Sequence, residues 1–319
     1  MCGIAGIYHL NGGREAPQSL QLMCDVQRHR GPDADGFLLF PELQTSHSKG
    51  ATPIRICERE ESRSSSLLQK ENKFKLGFGH RRLAIIDLSE AGHQPMANET
   101  GRIWITYNGE IYNFQALRRE LTAFGHMFRS DTDTEVIIHA YEQWGEACVN
   151  RFNGMWAFAI WDSEQQHLFL SRDRFGIKPL YYLAGPDEFI FASEIKAILS
   201  IRDDQRVPNI PYIARFITYG LMDHNSETFF QSVKSIPPGH SLRVSQAGIH
   251  LKKYWELKPT CNPLADREQG RNDLKERFYT LLKDAVTIRL TSDAPLGSCL
   301  SGGLDSSAIV SIAASSRPN

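Results

Sequence analysis

Cys2-Gly3-Ile4-Ala5-Gly6-Ile7-Tyr8 is an unbroken small and apolar run beginning at the second residue. A run with no polar alternation reads as a strand covered on both faces. A chain that starts this way must thread its N-terminus into the interior of a sheet. The same stretch lacks a basic n-region and a long apolar segment, so it does not read as a secretory signal. Cys2 stands at the mouth of the strand, behind Met1 alone. A small side chain at position two favours removal of Met1, which would leave a thiol beside a free α-amine. An α-amine with an ordinary pKa of about 7.7–8.0 is a built-in general base for its own thiol. Taken alone, a cysteine at position two also has an ordinary reading, chance placement.

The rest of the chain reads as many strands with a few interposed helices. Residues 36–40, 76–80, 82–86 and 103–107 are rich in aromatic and β-branched residues and bounded by Gly, Asn and Ser turns. Residues 155–161, 167–171, 180–183 and 188–192 read as a meander. Helices are expected over 19–29, around Phe114, Leu117, Leu121 and Phe124, around Ile137, Ala140, Tyr141 and Trp144 behind an Asp133 cap, and over 210–216 behind an Asn209 cap. Residues 241–245 and 250–254 read as a hairpin. The polar stretch 41–73, with Ser64-Ser65-Ser66, reads as a surface insertion with partial disorder, and 258–269 as a linker. A layered α+β sandwich follows. A helix over 271–290, a short strand over 296–300, the Ser301-Gly302-Gly303 turn and a last helix open a second domain. One strand and one helix do not cover each other on both faces, so this domain reads as cut off near its start.

At 319 residues the chain has room for two domains. No apolar run approaches the roughly 18 residues of a membrane span, which excludes a membrane protein. With 36 basic against 37 acidic residues, nothing in the charge supports nucleic-acid binding. The six cysteines are scattered, without the Cys or Cys/His spacing of a zinc site or a disulfide framework. They indicate a reducing cytoplasm.

The order of motifs carries further information. Met1 to Gly6 is followed by Arg28-His29-Arg30-Gly31-Pro32-Asp33, then His80-Arg81-Arg82-Leu83-Ala84-Ile85-Ile86-Asp87, Asn108-Gly109-Glu110-Ile111-Tyr112-Asn113 and Ser130-Asp131-Thr132-Asp133-Thr134-Glu135. This series resembles the glutaminase domain of class II glutamine amidotransferases. Arg172-Asp173-Arg174-Phe175-Gly176-Ile177-Lys178-Pro179-Leu180-Tyr181-Tyr182 and Phe191 to Ala197 resemble its glutamine-hydrolysing asparagine synthetase branch. The resemblance implies a four-layer αββα N-terminal-nucleophile hydrolase sandwich over residues 2–220. It implies Cys2 as the nucleophile with its own amine as base, and Asn108 and Gly109 as oxyanion donors. Arg82 would hold the glutamine α-carboxylate, and Asp133, with Glu110 nearby, the α-ammonium. In isolation Arg82 also reads as a strand-end ion pair, Asp133 as a helix cap, and Asn108-Gly109 as a hairpin turn. Arg30, His80 and Glu110 have no unique task in the spacing and read as supporting or structural residues, Glu110 lying among the substrate-binding candidates.

Residues 221–319 would hold a connecting hairpin, the linker and the start of an α/β ATP pyrophosphatase domain. Leu300 and Ser301-Gly302-Gly303-Leu304-Asp305-Ser306-Ser307 follow an apolar stretch and open a helix, without the Lys of a Walker loop. By resemblance this is a pyrophosphate loop for ATP, with Leu300, Ser301, Gly302, Gly303, Asp305 and Ser306 at the nucleotide and Asp305 toward Mg2+. The glutaminase half would need neither. The implied reaction amidates the ATP-activated β-carboxylate of aspartate with ammonia from glutamine, releasing AMP and pyrophosphate. This chain by itself would carry only the glutaminase half. A different carboxylate acceptor, a non-catalytic glutamine- or partner-binding remnant, and a homodimer all stay open.

Overall fold

The computed structural model describes residues 1–12, 14–15, 17–41, 53–58, 73–259 and 268–316. Most of the expected insertion and most of the expected linker lie outside the described residues. The chain divides into two compact units, Met1–Ala84 with Ser89–Trp255, and Ile85–Leu88 with Glu256–Asn319.

Two antiparallel sheets make up the first unit. One takes the order β12 (Val233–Ser235), β10 (Tyr181–Ala184), β11 (Glu188–Ala192), β1 (Gly3–His9), β5 (Lys73–Arg82), β3 (Ala34–Pro41), β4 (Ile54–Glu58), with β2 (Arg14–Glu15) also on β5. The other runs β14 (Gly248–Lys253), β13 (His240–Ser245), β9 (His167–Arg172), β8 (Gly154–Asp162), β7 (Ile103–Ile111), β6 (Met96–Ala97). The apolar N-terminal run is explained by where its two faces go. Ile4 and Tyr8 join Phe78, Ala159, Trp161 and Phe191 between the sheets. Ala5 and Ile7 point the other way, among Leu20, Met23 and Cys24 of α1 (Pro17–Asp25) and Ala197 and Ile198 of α4 (Ile195–Ile201). On the far side α3 (Asp133–Trp144) packs on β7 and on α2 (Phe114–Ala123). The expected αββα layering is present. No described helix is long and apolar enough to cross a membrane.

Several local expectations differ from the structure. Residues 82–86 do not form a strand: β5 ends at Arg82, because its partner β1 begins at Gly3, opposite Arg81. The four-strand meander is split, since β8 and β9 lie in one sheet while β10 and β11 lie in the other. The cap of α3 is Thr132, whose hydroxyl accepts from Thr134 N, and Asp133 is the first helical residue. The hairpin beyond residue 220 pairs β13 with β9, and the first unit runs to Trp255 rather than to 220. The cap expected before α5 (Ile210–Tyr219) is present, with Asn209 accepting from Tyr212 N.

The second unit contains α6 (Glu268–Ile288) and α7 (Leu304–Ser316) among the described residues. Residues 296–300 form no strand, since an extended segment needs a neighbour for its N–H and C=O groups.

Candidate active site

The N-terminal end of β1 meets the C-terminal end of β5. Cys2 Sγ sits against Leu83, accepting from its N–H at 3.3 Å and donating to its carbonyl at 3.6 Å. The turn over 28–33 holds this corner. Gly31 is backed against β5 so closely that a Cβ would lie 2.4 Å from Arg81 O, which is why no larger residue fits. Asp33 N donates to Arg82 O at 3.0 Å and Asp33 Oδ2 accepts from Ala84 N at 2.8 Å, so the strand end is gripped on both sides of Leu83. Arg30, expected to have no unique task, donates from Nε to Cys2 O at 2.9 Å and from Nη1 to Glu194 at 3.0 Å. It fixes the main chain of the cysteine from outside the site.

The second sheet is tied to this corner by two bonds. Thr106 Oγ1 donates to Gly79 O at 3.3 Å, and His80 Nε2 meets Tyr107 O at 3.1 Å. A carbonyl only accepts, so Nε2 carries the proton. Burial pushes His80 down to about 3, beyond what its bond to Tyr107 restores, so the ring is neutral. His80 is therefore a link between sheets. Immediately past that link, β7 presents Asn108, Gly109 and Glu110. Asn108 is buried, and among the described residues its Nδ2 has no hydrogen-bond partner. A buried donor left in that state costs about 1–3 kcal/mol, and such cases are few in a native fold. Gly109 lies opposite Trp156, and a Cβ there would sit 2.2 Å from Met155 O. The glycine is required by the neighbouring strand.

Asp133, buried at the start of α3, accepts from Tyr107 OH and from Ile111 N, both at 2.8 Å. Burial raises its pKa to about 6, and the nearby Glu110 adds to the shift against those two donors. Two carboxylates thus share a region beside Asn108. Arg82 is buried, and its Nη1 donates to Ser89 O at 2.9 Å. Its charge is felt at Cys2, together with that of Lys178. Burial pushes the Cys2 thiol up, and the Leu83 N–H, the chain terminus, Lys178 and Arg82 pull it back.

Lys178 is a site residue that sequence reasoning did not single out. Its side chain is buried and its pKa lowered by that burial, while the charges of Glu110 and Cys2 favour its protonated form. The loop that delivers it is rigidly built. Asp173 accepts from the backbone N–H of Phe175, Ile177 and Lys178 at 2.9–3.0 Å. Arg172 donates to the carbonyls of Lys178 and Gly176 at 2.9 and 2.8 Å. The available signal was a lysine inside an otherwise apolar stretch, Ile177-Lys178-Pro179-Leu180.

The Leu300 to Ser306 segment belongs to the second unit. Gly302 has φ +81°, a left-handed conformation that glycine adopts without strain. Ser301 Oγ and Ser306 Oγ are 3.0 Å apart, and Ser306 Oγ also donates to Gly303 O at 3.1 Å. Leu300, Ser301, Gly302, Gly303 and Asp305 are exposed. The turn opens α7 as expected, with Asp305 in the first helical turn.

Residues 55–255 match the family model of the glutamine amidotransferase domain, and residues 277–319 that of asparagine synthase. A glutamine-hydrolyzing asparagine synthetase of Bacillus subtilis (strain 168) is 41% identical over 239 residues, covering 74% of this chain and 38% of that protein. Another from the same organism is 33% identical over 323 residues, covering 100% and 45%. The chain thus spans less than half the length of these two relatives. Among solved structures, glutamine phosphoribosylpyrophosphate amidotransferase of B. subtilis aligns over 98% of this chain and 64% of its own, with TM-score 0.59 and 17% identity. That likeness concerns the fold alone.

Proposed function

Because the chain belongs to the glutamine amidotransferase family and carries the start of an asparagine synthase domain, we propose that it hydrolyses glutamine to glutamate and ammonia with Cys2. Removal of Met1 frees the amine that takes the thiol proton; with Met1 attached, that nitrogen is an amide and is no base. The thiolate attacks the side-chain amide carbon, and the developing oxyanion receives the Asn108 Nδ2–H and the Gly109 N–H. The proton returns to the leaving nitrogen, and water then hydrolyses the thioester. Arg82 holds the α-carboxylate as a planar fork, and Asp133 with Glu110 holds the α-ammonium. A free thiol nucleophile suits a reducing cytoplasm.

The single observation that carries this reading is the buried, unpartnered Asn108 amide beside Gly109. Among the described residues its Nδ2 has no acceptor, and it stands on the strand that His80 ties to the Cys2 corner.

By its likeness to the glutamine-hydrolyzing asparagine synthetases, the reading extends to asparagine synthesis. Ammonia would amidate the β-carboxylate of aspartate after its activation by ATP. The Leu300, Ser301, Gly302, Gly303 and Ser306 turn would receive the pyrophosphate part of the nucleotide, with Asp305 toward Mg2+. The left-handed Gly302 and the two adjacent hydroxyls support that assignment.

The test is intact mass, glutamate release from glutamine, and labelling by a diazoketone analogue of glutamine, on the chain and on Cys2→Ala. Loss of Met1, turnover, and a label on residue two that Cys2→Ala abolishes are expected. A processed, folded chain with neither turnover nor label would leave a glutamine-binding remnant and overturn the proposal.

A further inference from the structure

A second cluster of chemistry-bearing side chains lies on the outer helical layer, around residues that the glutaminase reading does not use. His139 and Glu142 are three apart on α3 and so share one face of the helix. His126 reaches the same place from the segment between α2 and α3. Nitrogen and oxygen atoms of the three side chains lie within 4.8 Å of one another.

Glu142 and His126 each have their far side fixed by a hydrogen bond. Glu142 Oε1 accepts from Asn98 Nδ2 at 2.7 Å, which leaves Oε2 for the two rings. His139 Nδ1 is 2.7 Å from Oε2 and His126 Nδ1 is 3.7 Å from it. His126 Nε2 faces the Gln143 side-chain oxygen Oε1 at 3.1 Å, which leaves Nδ1 as the ring nitrogen turned toward Glu142. His126 Nδ1 and Glu142 Oε2 face each other across a gap too long for a hydrogen bond, and a cation fits between them.

The ring of His139 points to the same conclusion from its other side. It is 1% exposed, and among the described residues its Nε2 has no hydrogen bond of normal length. Burial lowers its pKa, but the carboxylates of Glu135, Glu142 and Glu99 outweigh that and raise it to about 9, so an ion bound here displaces a ring proton. The nearest charged atoms are Glu135 Oε1 at 3.8 Å and Glu99 Oε1 at 3.9 Å. Carboxylates behind the non-ligating nitrogen of a histidine are the usual outer support of a metal-bound imidazole. Tetrahedral zinc with bonds of about 2.0–2.1 Å sets its ligand atoms about 3.3 Å apart. The two Nδ1–Oε2 spacings, 2.7 and 3.7 Å, lie on either side of that value and the whole set lies within 4.8 Å, so the three side chains would draw together on an ion.

We propose that His126, His139 and Glu142 bind a divalent transition metal, zinc by the chemistry of the donor set, through His126 Nδ1, His139 Nδ1 and Glu142 Oε2. Glu99 and Glu135 support it from behind, and the partly exposed edge at His126 gives the entry path. The ion would staple the segment after α2 to the helix that begins with Asp133. Its role is structural, and the proposal is independent of glutamine hydrolysis.

The experiment uses the full chain as Cys2→Ala, so that the terminal thiol and amine do not chelate the probe. After chelator dialysis, Zn2+ is titrated by calorimetry and Co2+ is followed by its visible absorption. One equivalent of Zn2+ and a tetrahedral Co2+ spectrum are expected. Glu142→Gln, which keeps the side-chain shape, and His126→Ala, at the exposed edge, should each weaken binding 10-fold or more while circular dichroism stays unchanged. Absence of binding to the parent, or equal binding in both variants, would overturn the proposal.

Discussion

The Tyr107 hydroxyl donates to Asp133 Oδ2 at 2.8 Å, joining the middle of β7 to the first residue of α3. The same oxygen accepts from Ile111 N, four residues along the same strand. A carboxylate of the proposed ammonium subsite is thereby aimed by the strand that carries the proposed oxyanion donors.

Asp133 has a folded-state pKa of about 6 against an ordinary 3.8, so its ionisation opposes folding. Its contribution to stability is greatest when protonated and is lost as pH rises from 3.8 through 6. Glutamine should reverse the sign, because its ammonium pairs with the ionised form. KM for glutamine is expected to rise several-fold as pH falls below 6. Tyr107→Phe removes one donor to the carboxylate and should move that inflection upward. A pH profile of kcat/KM for both proteins decides the point; an inflection unmoved in Tyr107→Phe contradicts it.

Asn108→Ala should reduce glutamine turnover about 100- to 1,000-fold with little change in KM, the signature of a lost oxyanion donor. Thermal stability should hold within a few degrees, because the amide removed had no partner for its Nδ2. Steady-state kinetics and a melting curve on one preparation suffice. A large fall in Tm would assign the residue a structural role instead.

Lys178→Met takes away a positive charge felt at Cys2 without emptying the space. The thiol pKa should rise, and alkylation by iodoacetamide should slow at neutral pH and recover at higher pH. Rates that coincide across the whole pH range would exclude any effect of Lys178 on the nucleophile.

His80 is buried neutral, with its pKa lowered from 6.5 to about 3. The unfolded chain takes up a proton on this ring below 6.5 and the folded chain does not, so stability present above 6.5 drains away as pH falls toward 3. The slope approaches about 1.4 kcal/mol per pH unit. His80→Gln keeps a donor for Tyr107 O and should flatten the acid limb of a denaturation series. An unchanged slope would mean that other groups carry the acid sensitivity.

Gly31→Ala should unfold the corner without touching substrate. Its Cβ would fall 2.4 Å from Arg81 O, and neither backbone can retreat while Asp33 grips Arg82 and Ala84. A loss of about 1–3 kcal/mol is expected by chemical denaturation. Full stability in the variant would show the turn to be looser than described.

What could be read in advance was whatever leaves a local mark. The unbroken apolar run of β1 announces burial on both faces, and Cys2, Arg82, Asn108, Gly109 and Asp133 stand out by residue type and order. Lys178 left almost no mark, because its burial depends on Asp173 and Arg172 folding the loop beneath it. The split of β8 and β9 from β10 and β11 was hidden for a similar reason: period-two patterns do not say which sheet a strand joins. Thr132 rather than Asp133 caps α3, as either side chain can accept from the first turn. His139 and Glu142 are close in sequence, but His126 joins them only when the segment before α3 folds back beside the helix, which the spacing does not show.

The position of β1 in its sheet has a consequence for the order of synthesis. β1 lies between β5 and β11, so its second neighbour does not exist until the ribosome has made Ala192. Pairing over so long a separation is slow. Through that interval the residues next to Cys2 lack one of the two strands that flank them in the finished sheet. The corner at which the proposed chemistry takes place is therefore completed late in synthesis, although its first residue is the first to be made.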